Sequence, residues 1–303
     1  MRSLLSVLLL AAVGAVPARA QDARGPATRA VLVTGASTGI GYKITERLAA
    51  RGYFVYAGAR RDTDLASLNK IRNVQAVRLD VTKQEDIDAA VASITQAGRG
   101  LHGLVNNAGV ATFASLATMD LDEFDLMMKV NVYGPLRMSR AFLPLLSASK
   151  GRITNISSIS GINGRPPVGG YSMAKHAIEA FTDVLAAEVA AQGVIVNVIE
   201  PGNFNSAIAA SAQRRVGRDL DSSADRSRYK EPDEVAAAVE QALFDARPKR
   251  RYLVTPDQSE AERTIKAQIE QLAQLNEHHA YSYDRAALIM FLDEALAKFP
   301  PKK

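Results

Sequence analysis

The feature that most restricts this chain is a repeated alternation between two hydrophobic periods. Apolar, β-branched runs at Ala30 to Thr34, Tyr53 to Gly58, Val74 to Leu79, Leu101 to Asn106, Arg152 to Ser157 and Val194 to Ile199 are separated by segments with helical spacing of Ala, Leu and charged residues. Strands joined through helices in this way demand a parallel sheet. Right-handed crossovers put helices on both of its faces, and strands covered on both sides read as near-continuous apolar runs, as these do. The expectation is an α/β fold built on a doubly wound parallel sheet. The pattern breaks between residues 203 and 231, where Arg214, Arg215, Arg218, Ser222 and Ser223 make a polar stretch longer than a structural connection needs. That stretch is read as a lid. A helix around Glu234 to Leu243 and a short strand at Tyr252 to Thr255 follow, bringing the sheet to about seven strands. Two more helical patterns, Ser259 to Asn276 and Arg285 to Lys298, make residues 256–303 a C-terminal helical extension, with Ile265, Ile269, Leu272 and Leu275 on one stripe. That stripe is expected to pack on the domain or on a second subunit.

The first residues follow different rules. Met1-Arg2 precedes an apolar run from Leu4 to Val16, and Ala18-Arg19-Ala20 places small residues where a signal peptidase reads. The run is too short to span a bilayer comfortably, which takes about 20 residues. Residues 1–20 are read as a secretory signal, with an uncleaved membrane anchor or a downstream start as alternatives. Residues 21–28, with Gly25 and Pro26, read as a linker, so the domain occupies residues 29–255. The absence of cysteine removes thiolate chemistry and cysteine zinc sites. Arg2 and Arg19 supply two of the five net positive charges, leaving no footprint for nucleic acid on the rest.

The chemistry begins where the first strand ends. Val31-Leu32-Val33-Thr34 runs into Gly35-Ala36-Ser37-Thr38-Gly39-Ile40-Gly41, which opens a helical pattern. Glycines let the backbone turn sharply and approach a pyrophosphate seated on the helix N-terminus. The spacing G-x-x-x-G-x-G is one residue longer than the common dinucleotide fingerprint. At the tip of the second strand, where an acid would read a free ribose 2′-hydroxyl, the chain has Arg60 and Arg61, which suit a 2′-phosphate. The reading is NADP(H) in preference to NAD(H). Its alternative makes both arginines solvated and lets Asp62 or Asp64 reach the ribose. Asp80-Val81 after the third strand and Asn106-Asn107-Ala108-Gly109 after the fourth lie on the same sheet edge.

Ser158 closes the fifth strand, and Tyr171 and Lys175 are four apart on the next helix, on one face. A phenol titrates near pH 10, and an adjacent ammonium favours its ionised form.

Together these motifs resemble the short-chain dehydrogenase/reductase family over about residues 29 to 255. Gly35, Gly39 and Gly41 fit its glycine loop, Asn106 to Gly109 its N-N-A-G stretch, and Lys129-Val130-Asn131 its asparagine. Ser158, Tyr171 and Lys175 fit its serine and Y-x-x-x-K positions, and Pro201-Gly202 its turn past the sixth strand. The phrase Ile199 to Phe204 is nearer the retinol and 17β-hydroxysteroid dehydrogenase branch. The resemblance implies a Rossmann-type fold and hydride transfer between NADP(H) and a carbonyl or secondary alcohol. It further implies Tyr171 as acid and base, Lys175 on the nicotinamide ribose, Ser158 on the carbonyl oxygen and Asn131 ordering a water. No metal is implied. The cofactor is expected against Gly35, Ser37, Thr38, Gly39, Ile40, Gly41, Arg60, Arg61, Asp80, Val81, Asn107, Ala108, Gly109, Tyr171, Lys175, Pro201 and Gly202.

A non-catalytic nucleotide sensor or scaffold is the alternative function. Ile162, Pro166, Pro167, Val168, Phe204 and Ile208 suggest an apolar pocket and a hydrophobic small-molecule substrate. His102, His176, His278 and His279 are read as packing or surface residues. A homodimer or homotetramer through Leu126 to Leu146 and Tyr171 to Gln192 is what the resemblance suggests. A membrane partner enters only with an uncleaved anchor. Export is expected, although it sends the chain where free NADP(H) is scarce.

Overall fold

The computed structural model describes residues 29–215 and 229–299, so the signal and linker readings, and the middle of the residue 203–231 stretch, lie outside the described residues. Seven strands form one sheet: β1 (Ala30–Val33), β2 (Phe54–Ala59), β3 (Val74–Arg78), β4 (Gly103–Asn106), β5 (Arg152–Ile156), β6 (Ile195–Pro201) and β7 (Arg251–Val254). Their order is β3-β2-β1-β4-β5-β6-β7, every pairing parallel. Strand order reverses between β1 and β4. In such a sheet the crevice beyond those two carboxyl ends is where a ligand sits.

The helices between the strands are α1 (Gly39–Ala50), α2 (Asp62–Leu68), α3 (Gln84–Gln96), α4 (Leu121–Met128), α5 (Gly134–Ser149), α6 (Gly169–Glu188), α7 (Ile208–Arg215) and α8 (Asp233–Phe244); α7 lies inside the stretch read as a lid, where the sequence pattern named no helix. α1 docks on α8, and α3 docks on α5. Two apolar clusters result. One joins Ile44 and Leu48 of α1 to Val235, Val239 and Leu243 of α8 through Val31, Val33 and Val55. The other joins Ile87 and Ile94 of α3 to Met138, Phe142 and Leu146 of α5 through Leu32, Leu104 and Ile153. Successive residues of each strand feed opposite clusters, which is why the strands read as unbroken apolar runs.

Two expectations are corrected. Phe204 belongs to the first core cluster instead of lining a pocket. β6 runs two residues further than its apolar run suggests, to Pro201. In the C-terminal helices α9 (Gln258–Leu275) and α10 (Arg285–Ala297) the domain half of the expectation for the apolar stripe fails, because Ile265, Ile269, Leu272 and Leu275 stay 52–76% exposed. The stripe therefore does not pack on the domain. None of the described helices is long and apolar enough to cross a membrane.

Behind the crevice lies a buried polar ladder. Asn106 Nδ2 donates to Asn155 Oδ1 at 2.8 Å, and Asn155 Nδ2 donates to Thr182 Oγ1 at 2.9 Å, tying β4, β5 and α6 together. An unpaired buried amide costs roughly 1–3 kcal/mol. Asn155→Ala should therefore lower unfolding free energy by about 2–4 kcal/mol, combining orphaned partners with a cavity. A urea denaturation series measures it, and a loss under about 0.5 kcal/mol would show that the ladder is not a stabilising network.

Candidate active site

The site grows from the meeting of two loops. Thr34, just past β1, accepts the backbone N–H groups of Asn107 and Ala108 on its hydroxyl oxygen at 2.9 and 3.0 Å. Asn107 Nδ2 returns two bonds, to the carbonyls of Thr34 and Gly35. Gly35 lies at φ +64°, and a Cβ there would fall 2.9 Å from the Ala108 backbone. A Cβ on Gly41 would fall 2.3 Å from Asn107 Nδ2. Neither position accepts a side chain, so the glycine loop is fixed by steric contact with the turn after β4.

What this loop presents is the start of α1. Thr38 occupies the cap position without a side-chain cap bond, and no acid lies in the first turn. Of the other helices, α4, α9 and α10 are capped by the carboxylates of Asp120, Asp257 and Asp284, and the uncapped α2, α3 and α8 carry acids in their first turns; α5 and α6, like α1, have neither. Leading N–H groups left to an outside acceptor, on a loop with no side chain at Gly35, Gly39 or Gly41, suit a pyrophosphate. Ser37, Thr38 and Ile40 complete that loop and are partly or fully accessible.

At the tip of β2, Arg60 and Arg61 are exposed. Arg61 makes paired 2.8 Å bonds to Asp64, and Arg78 is bonded to Asp62. Both acids that could have read a ribose hydroxyl are thus engaged by arginines. Arg60 lies 3.7 Å from Asp80, just beyond β3. Burial raises the Asp80 carboxyl, but two bonds from Thr82 and the Arg60 charge outweigh it and hold it below its usual range. Val81 beside it is buried and packs into the second core cluster.

Asn131 sits on a π-helical turn, Lys129–Tyr133, between α4 and α5. It is 1% exposed, and its amide bonds the Val110 N–H and C=O, both at 2.8 Å. A Cβ on Gly109 would lie 3.4 Å from Asn131 Oδ1 and 3.9 Å from Lys175 Nζ, so these three residues form one cluster. Lys175 is 5% exposed, its Nζ donates to the Ile156 carbonyl at 2.8 Å and lies 5.5 Å from the Tyr171 ring centre. Burial lowers its pKa to about 8, with the Glu179 charge opposing the shift. Ser158 accepts from the Ser160 N–H, which leaves its hydroxyl proton to donate elsewhere. Asn131, Tyr171 and Lys175 are thereby gathered beside the glycine loop, with Ser158 at the end of β5 on the same edge.

Several contributors escaped the sequence reading. Thr34 locks the two loops. Arg215, the last residue of α7, bonds Glu123 and the Ala111 carbonyl, holding α7 against the site's rim. Gly202 donates to the Val254 carbonyl, and the Asn203 N–H donates to Glu260. The Arg215 and Glu260 partnerships span about 60 residues or more and leave no local signal. His102 stacks on Phe244, and His176 bonds the Ser172 carbonyl, in line with packing roles. Among the described residues no cluster of acids and histidines suits a metal ion.

Comparison with known proteins gives a consistent set of likenesses. Residues 29–217 match a family model described as short chain dehydrogenase. The chain is 33% identical over 207 residues to the mitochondrial D-beta-hydroxybutyrate dehydrogenase of Mus musculus, covering 65% of this chain and 60% of that protein. The chain thus spans less than two thirds of that relative's length. It is 34% identical over 250 residues to an NADPH-dependent 3-dehydrocapnine reductase of Ornithobacterium rhinotracheale, covering 75% of this chain and 88% of that one. A solved metagenomic short-chain oxidoreductase in complex with NADP aligns with a TM-score of 0.63 and 28% identity, over 76% of this chain and 98% of that one.

The burial of Lys175 has a measurable cost. Its folded pKa of about 8 lies below the value near 10.4 of an unfolded lysine, so the unfolded chain binds more protons between those limits. The penalty is complete below pH 8 and fades as pH rises toward 10. Lys175→Met should therefore hold its largest stability advantage over the ligand-free parent at pH 7. That advantage should shrink by up to roughly 3 kcal/mol by pH 10. Parallel urea melts across pH measure the difference, and a constant offset would reject the buried-ammonium assignment.

Proposed function

The chain belongs to the short-chain dehydrogenase family, and from that premise we propose that it is an NADP(H)-dependent oxidoreductase acting on a carbonyl or secondary alcohol of a hydrophobic small molecule. The observation that carries the reading is the cluster of Tyr171, Lys175, Gly109 and Asn131 beside a glycine-lined, uncapped helix start. A sensor that only bound nucleotide would use the buried ammonium on the ribose, but would have no use for a phenol held beside it.

When bound, the nicotinamide cofactor supplies or accepts the hydride. Tyr171 gives its phenolic proton to the substrate oxygen in reduction and takes it back in oxidation. Ser158 donates a hydrogen bond to the same oxygen, stabilising charge as it develops there. Lys175 holds the nicotinamide ribose hydroxyls and keeps positive charge next to the phenol. Asn131, fastened to Val110, orients a water through which Lys175 exchanges protons. Gly35 to Gly41 would hold the pyrophosphate, Asp80 and Val81 the adenine end, and Asn107 to Gly109 with Pro201 and Gly202 the nicotinamide end. Arg60 and Arg61 take the 2′-phosphate, supported by the engagement of Asp62 and Asp64 and by the NADP or NADPH named for two relatives.

The outer faces of α5 and α6, with Leu136, Phe181 and Val184 along one groove, are assigned to a homodimer or homotetramer contact. Residues 1–20 are assigned to export.

Tyr171→Phe should reduce turnover about 10²–10⁴-fold while keeping the nucleotide-induced rise in melting temperature. Unchanged turnover would remove the phenol from the mechanism, and loss of nucleotide binding by the parent would remove the oxidoreductase reading. Arg60→Ala with Arg61→Ala should erase about 10- to 100-fold of the preference for NADPH over NADH, the value of one or two charge-assisted hydrogen bonds. Equal weakening of both nucleotides would refute the 2′-phosphate role. Native mass spectrometry of protein recovered from its own cells tests export and assembly together. The expected species is a dimer or tetramer of chains beginning at Gln21, and a monomer retaining Met1 would overturn both.

A further inference from the structure

α9 docks the wrong way round for a helix whose purpose is to close a core. Its apolar stripe, Ile265, Ile269, Leu272 and Leu275, faces outward, while buried Glu260 and Thr264 face the domain. Burying a carboxylate costs more than burying a leucine gains, so this orientation must be held by specific bonds. Those bonds all run to the loops at the carboxyl ends of β5 and β6. Glu260 accepts the Asn203 backbone N–H at 2.9 Å and the Asn203 side-chain amide on its other oxygen. Thr264 presents its carbonyl to Asn163 Nδ2 at 3.4 Å, and Gln268 Nε2 donates to the Ile162 carbonyl at 3.1 Å. One helix thus braces the loop that follows Ser158 and the turn Pro201–Asn203.

Glu260 is the anchor of that brace. It is 5% exposed, and its Oε2 sits so close to Gly202 that a Cβ there would overlap it. As the third residue after the Asp257 cap, a glutamate would ordinarily fold back to cap its own helix. Here the Asp257 carboxylate accepts the Glu260 N–H, and the Glu260 carboxylate is spent on Asn203 instead. Asn203 lies within the matched family region, which ends at residue 217, and Glu260 lies beyond it.

We propose that Glu260 is a positioning residue that fixes the turn Pro201–Asn203 for the nicotinamide half of the cofactor, making the C-terminal helix part of the binding site. The assignment rests on the oxidoreductase reading, in which that turn would hold the nicotinamide end. It separates the two halves of the nucleotide: Arg60 and Arg61, which take the 2′-phosphate, stand at the tip of β2, four strands across the sheet from the brace at the end of β6.

Isothermal titration of the full chain with NADPH and with adenosine 2′,5′-bisphosphate, which lacks the nicotinamide, tests it without any turnover. Glu260→Ala should bind NADPH at least tenfold more weakly and the bisphosphate within twofold of the parent. Glu260→Gln keeps an oxygen for the Asn203 N–H and should recover most of the NADPH affinity. Retained bisphosphate binding certifies that each variant is folded. Equal weakening of both ligands would make Glu260 a general structural residue and overturn the proposal, as would unchanged NADPH affinity. A parent that binds the bisphosphate but gains nothing from the nicotinamide half overturns the proposal while leaving the nucleotide site intact. A parent that binds neither overturns the oxidoreductase reading itself.

Discussion

Everything in this site depends on the contact between the backbone after β1 and the backbone after β4. Those strands are neighbours only because strand order reverses there, and the reversal leaves their carboxyl ends with no helix between them. The gap is closed by the Thr34 hydroxyl and the Asn107 amide, which bind each other's backbones across it. With Gly35 against Ala108 and Gly41 against Asn107, the loop cannot relax inward. The loop is thereby held at the crevice, and the helix start behind it is left without a side-chain cap of its own. A cap would stabilise α1 by about 1 kcal/mol, and its absence is consistent with that stabilisation being deferred to a ligand.

The second constraint is the charge placed along the helix that carries Tyr171 and Lys175. Lys175 is buried with one carbonyl partner, and one turn further along α6, Glu179 lies beside Arg251, which also bonds Glu200 and Asp183. Burial raises the Glu200 carboxyl to about 7, with Glu179 adding to the rise and Arg251 opposing it. The helix that carries Tyr171 and Lys175 is thus clamped to β6 and β7 by an ionic cluster and to β5 by the Asn155 to Thr182 bond. Such clamps hold a reacting pair in register, which is what proton transfer over a single hydrogen bond requires.

How much of this could be read from the sequence follows from the range of the interactions. The sheet, the glycine loop, the paired arginines, Ser158 and the Tyr171-Lys175 pair are legible because each is written in adjacent residues or in one helical turn. Element ends moved by a residue or two, and β4 begins at Gly103 instead of Leu101. Asn131 was identified by motif, but its placement depends on a π-helical turn that widens the ring between α4 and α5, and no local propensity announces that. Phe204 was expected at the pocket because it is apolar and near the site; the extra length of β6 carries it into the core. Asp257 to Glu260 is the sharpest case. The pair reads as an ordinary helix start, and only the fold shows that the glutamate has abandoned its local bond for one 57 residues away.

That exchange also explains the C-terminal helices together. A helix that turns its polar face to the domain must leave its apolar face elsewhere, and α10 adds Met290, Phe291, Leu292 and Leu296, each more than 40% exposed. The same polar bonds that seat Glu260 on Asn203 therefore set the direction in which the extension's hydrophobic side must face. Loosening them by substitution would free α9 to roll its leucines toward the domain, so the brace at Pro201–Asn203 and the exposure of the extension are two consequences of one orientation.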